Sequence, residues 1–132
     1  MKNLVIMSLI FSVVFLSTAF ASGKQDVSRL LRSFEKSYNC LKSFESELKT
    51  NSDPKSLVKE FEDSYKAVMD SGDELYNSSY SYVLSREYKK LENIAKSIRF
   101  KLLQGEPKAK TSPSVKAARK ISATIINRLM NF

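Results

Sequence analysis

Histidine and tryptophan are missing from this chain of 132 residues, and Cys40 is its single cysteine. Without His, the commonest general base, proton shuttle and transition-metal ligand are unavailable, which closes off much hydrolytic and metal-dependent chemistry. One Cys can form neither an intramolecular disulfide nor a zinc cluster, so the disulfide-dense secreted scaffolds are excluded as well. Cys40 is expected to pack as a small, half-buried apolar residue. If exposed in an oxidising compartment, it would instead pair with a second chain.

Glycine and proline number three each, too few for a turn-rich β sandwich, while Lys, Leu, Ser and Glu are plentiful. An all-α chain is expected. Long apolar runs are absent except at the start, where Lys2 precedes a charge-free and largely apolar stretch over residues 4–16, closed by Ala19-Phe20-Ala21. That pattern is a secretory signal peptide over residues 1–21, followed by one domain over residues 22–132. The alternative is a retained N-terminal membrane anchor, but the apolar stretch is shorter than the roughly 20 residues a spanning helix needs. Export to a bacterial periplasm or to the medium is the expected destination.

Four segments carry helical apolar periodicity. The first, over about residues 25–50, places Val27, Leu30, Leu31, Phe34, Tyr38, Leu41, Phe44 and Leu48 on one stripe. Ser52-Asp53-Pro54 then provides a cap and an N1 proline for a helix over 54–76, with Leu57, Val58, Phe61, Tyr65, Val68, Met69, Leu75 and Tyr76 inward. Gly72 interrupts that face, and a bend or break is expected there. After the polar break at residues 77–79, a helix over 81–104 turns Leu84, Tyr88, Leu91, Ile94, Ala95, Ile98 and Leu102 inward. A second cap-then-proline pair, Ser112-Pro113, predicts a fourth helix over 113–131 with Val115, Ala118, Ile121, Ile125, Leu129 and Phe132 inward.

Four amphipathic helices joined by short breaks bury four stripes together in an antiparallel four-helix bundle with up-down-up-down topology. The alternative is a three-helix bundle with a loosely docked basic fourth helix. Small exported bundles of this layout are similar to the cytochrome b562 type, whose haem is held by a Met and a His. This chain has no His, and its first mature helix has no Met, so the likeness extends to architecture alone and no cofactor is expected.

Charge is uneven along the chain. Basic and acidic residues number six and four from Lys24 to the end of the first helix, three and six in the second, six and two in the third, and six and one from Gly105 onward. In the simple topology the acidic second helix lies diagonal to the basic fourth, so their charges cancel poorly. A basic face is therefore expected, built from Lys108, Lys110, Lys116, Arg119, Lys120 and Arg128. Lys108, Lys110 and Lys116 cluster around the predicted start of the fourth helix, where the macrodipole favours anions, and Ser112 or Ser114 would add donors.

Motifs for catalysis are weak. Ser-x-x-Lys recurs at Ser33/Lys36, Ser46/Lys49, Ser52/Lys55 and Ser56/Lys59, a number chance accounts for in a chain rich in Ser and Lys, and without companion elements. Residues 70–74, Asp-Ser-Gly-Asp-Glu, lack the length and spacing of a calcium loop and are expected to form a polar helix surface. The reading is a non-enzyme without bound metal. Tyr76, Tyr80, Tyr82 and Tyr88 crowd one end of the bundle; Tyr76 and Tyr88 fit the core, and Tyr80 and Tyr82 could form an aromatic contact surface. The expected partner is another protein, as for an adaptor, inhibitor or envelope-associated factor. An anionic lipid or envelope surface, met by the fourth helix lying in-plane, is the alternative, and export disfavours nucleic acid.

Overall fold

The computed structural model describes residues 18–132, with side chains from Gln25 on. Residues 1–17 of the expected signal peptide lie outside the described residues. Four helices follow: α1, Thr18–Thr50; α2, Pro54–Tyr76; α3, Ser81–Leu103; and α4, Lys108–Met130. The expected boundary at Ala21 falls within the first turn of α1.

Backbone contacts join α1 to α2, α2 to α3, α3 to α4 and α4 back to α1, the closed square of an antiparallel four-helix bundle. Neighbours run in opposite directions: Asp26 meets Ser79 while Ser37 meets Ser71, and Glu87 meets Arg128 while Lys101 meets Ser114. The diagonal pairs meet only through core side chains, such as the edge-on rings of Phe34 and Tyr88 at 6.1 Å. Because Val115, Ala118, Ile125 and Leu129 are fully buried, α4 is an integral wall of the bundle and not a loosely docked addition.

At the α1–α2 turn the sequence signals hold. Asp53 caps α2 by accepting from Lys55 N, Pro54 stands in the first turn, and Asn51 Oδ1 accepts from Asp53 N. Three other expectations are corrected. Helix α2 runs unbroken through Gly72, whose bare Cα faces the Tyr88 ring. Ser71 and Gly72 are buried rather than part of a polar surface. The fourth helix begins at Lys108, not Pro113, because Lys110 N already donates to Pro107 O and Thr111 turns inward one turn before Val115. Pro113 therefore sits inside α4, where its ring supplies no N–H for the carbonyl four residues back. The ammonium of Lys101, from α3, donates to the neighbouring carbonyl of Lys110 and to Ser114 Oγ.

Most predicted stripe residues are buried, but small polar residues join them: Ser37, Ser64, Ser71, Thr111 and Ser122. Between α1 and α2, Ser71 Oγ lies 2.8 Å from Ser37 Oγ, 3.0 Å from Ser33 Oγ and 2.9 Å from Ala67 O. This hydroxyl network satisfies the polar atoms and lets the two backbones approach closely. Two residues assigned to the core stripes are instead half exposed, Tyr76 at 51 % and Phe132 at 53 %. Each lies at the last residue of α2 or past the end of α4, beyond the level where four helices enclose a core.

Candidate functional site

The six basic residues expected to form one face are divided by the packing. Arg119, on the α1 side of α4, pairs with Glu45 at 2.8 Å, and Arg128, on the α3 side, pairs with Glu87 at 2.7 Å. The adjacent Tyr38 and then Glu45 push the Arg119 guanidinium further towards its charged form. The acidic α2 is indeed diagonal to α4, but carboxylates of the two net-basic neighbours do the neutralising. Lys108, Lys110, Lys116 and Lys120 make no ion pair with the described residues, and all but the half-buried Lys108 are exposed.

No compact anion site forms at the start of α4. Lys116 lies two turns, about 12 Å, along the axis from Lys108. Ser114 is occupied by Lys101, and Ser112 stands within the helix rather than capping it. Beside the α3–α4 turn is a hollow of about 320 Å³, lined by Leu57, Leu102, Pro107 and Lys108 among others.

Phe100 and Leu103 are exposed beside that turn, but most of the exposed large apolar side chains gather at the opposite end of the bundle. Tyr82 is 92 % exposed, and Tyr76, Val83, Met130 and Phe132 stand open beside it, where α2 ends, α3 begins and α4 ends. Tyr80 stacks on Phe132 with centroids 4.9 Å apart and planes 12° from parallel, so the C-terminal ring is held in place. Tyr76 meets the buried Tyr88 edge-on at 5.7 Å. The turn beneath them is fastened to α1, since Ser79 N and Oγ both donate to Asp26 Oδ2. Tyr80 and Tyr82 were recognisable in the sequence. Tyr76 and Phe132 were not, because their stripe positions resemble core until the helix ends are located, and Met130 lay outside the stripe.

Between α1 and α2 runs an open groove of about 500 Å³, with Arg29, Arg32 and Lys36 on one wall and Asp70, Asp73 and Glu74 on the other. Its walls bear opposite charge, and Arg29 spans it to Glu74 at 3.9 Å. Cys40 is half-buried on α1; burial and then the Asp63 carboxylate push its thiol pKa up, which lowers its thiolate fraction. Among the described residues, no cluster of carboxylates and thiol could hold a metal ion, and no helix is long and apolar enough to cross a membrane. No family model, curated protein or solved structure matches the chain.

Proposed function

We propose that this chain is an exported, non-enzymatic helical module that binds another protein through the aromatic end of its bundle. The observation that carries this reading is the gathering of Tyr76, Tyr82, Val83, Met130 and Phe132 in the open at one end. Aromatic and Met side chains are the enriched anchors of protein interfaces. Here the stack on Tyr80 and the contact with Tyr88 hold two of the rings before any partner arrives, which lowers the ordering cost of binding. Charged side chains of both signs, Asp26, Arg29, Glu74 and Arg86, lie around the same end and suit a polar rim. Export rests on the N-terminal sequence pattern. The non-enzymatic reading rests on the lack of His and on a sole thiol held mostly protonated.

The test places a photo-crosslinking side chain at Tyr82 in residues 22–132, which contain every described core side chain, and irradiates it in an envelope extract. A discrete adduct is expected that excess wild-type chain competes away and a Tyr82→Ser/Phe132→Ala chain does not. The same probe at exposed Lys59 of α2, away from that end, should give none. Equal adducts at both positions, or competition by the double variant, would overturn the reading.

A further inference from the structure

The α1–α4 side of the bundle presents a basic surface that no single helix encodes. Glu45 and Arg119 meet at its centre and neutralise each other. Lys42 and Lys49 lie three residues before and four after Glu45, one turn away on the same flank of α1. Lys116 lies one turn before Arg119, and Lys120 lies one turn beyond Lys116 on the same outer ridge. All four lysines are exposed, and none is ion-paired with a described residue. The other exposed side chains of this stretch, Asn39, Ser43, Ser46, Ala123, Thr124 and Asn127, are neutral. Helix α4 contains no acidic residue, and acidic α2, diagonal to α4, packs against the other flank of α1.

This arrangement changes how an anionic surface could be met. The apolar stripe of α4 is enclosed in the core, so α4 cannot lie in-plane among acyl chains without opening the bundle. What remains outside is mainly charge, amide and hydroxyl, and the aromatic ring of this side, Tyr38, is half-buried beside Arg119, which gives a base little to stack on. We propose that Lys42, Lys49, Lys116 and Lys120 form an electrostatic docking face for the anionic headgroups of a lipid bilayer. Four exposed lysines spread over two helices suit a plane of phosphates better than a single small anion. The face lies along the side of the bundle, so an occupied aromatic end and an occupied membrane face are compatible. The inference does not rest on the protein-binding reading.

The test is sedimentation of residues 22–132 with vesicles of phosphatidylglycerol and phosphatidylcholine, compared with phosphatidylcholine alone. Binding is expected only to the anionic vesicles and should be largely lost at about 0.5 M salt, where the Debye length has fallen to about 4 Å and attraction beyond direct contact is screened. Lys116→Glu/Lys120→Glu should lower partitioning at least 30-fold, since each lysine near such a surface contributes roughly a fivefold effect and its reversal exceeds its loss. Lys55→Glu/Lys59→Glu, an equal charge change at exposed sites of α2, should lower it less than threefold. Equal losses in both variants would mean that net charge alone acts, and binding that survives high salt would mean apolar insertion. Binding to polyphosphate or single-stranded nucleic acid without binding to anionic vesicles would assign the face to another ligand. Each of these three outcomes overturns the proposal.

Discussion

Tyr88 of α3 lies across Gly72 of α2. Its hydroxyl donates to Val68 O at 2.9 Å, and a Cβ on residue 72 would fall 2.7 Å from ring atom Cε2 and closer still to the hydroxyl oxygen. The glycine that reads as a helix breaker is a notch that admits a buried phenol. Helix propensity alone makes Gly72→Ala stabilising by about 1 kcal/mol. The clash reverses the sign, and the variant should lose about 2 kcal/mol in urea unfolding. A Gly72→Ala/Tyr88→Phe chain should recover part of that loss, because only the hydroxyl contact is relieved. A stabilised Gly72→Ala chain would show that the ring moves aside freely.

Burial, followed by the nearby Glu92 carboxylate, pushes the Tyr88 phenol well above the usual tyrosine range. Above the unfolded pKa of about 10, the unfolded chain releases a proton that the folded chain keeps, so stability falls as pH rises. Below pH 9 the contribution is intact. Urea midpoints measured from pH 8 to 11 should therefore decline above about pH 10, and the decline should be shallower in Tyr88→Phe. Parallel curves for the two chains would place the titration elsewhere.

Glu87 gives one oxygen to Arg128, while Oε2 is buried without a hydrogen-bond partner. Removing the guanidinium leaves a partly buried carboxylate uncompensated, so Arg128→Ala should cost about 1–3 kcal/mol. Adding Glu87→Gln should return much of that stability by removing the charge. If the second change costs more instead of restoring, Glu87 has a partner other than Arg128.

Pro113 occupies an exposed site within α4 and supplies no N–H to Ala109 O. Pro113→Ala should raise the thermal midpoint by the equivalent of about 1 kcal/mol, the restored hydrogen bond outweighing the added freedom of the unfolded chain. A lowered midpoint would mean that the proline ring stabilises the helix entry.

What the amino-acid order determined by itself was the local pattern. Apolar residues every three or four positions fix which face of a helix turns inward wherever four helices enclose it, as at Phe34, Phe61, Leu91 and Ile125. Asp53 followed by Pro54 marks a helix start for reasons contained within one turn. Ser112-Pro113 offers the same local signal, but Pro107 and inward-turning Thr111 begin the helix earlier, and packing of Thr111 prevails over the cap. The tertiary structure alone decided whatever depends on a second helix. Gly72 became a notch because Tyr88 arrives from α3, and two α4 arginines were neutralised because Glu45 and Glu87 stand on the helices beside them. Tyr76 and Phe132 were left in the open because a stripe is buried only as far as its neighbours extend. Periodicity specifies direction around an axis. Packing specifies what stands in that direction, and the candidate surfaces of this protein follow from the second.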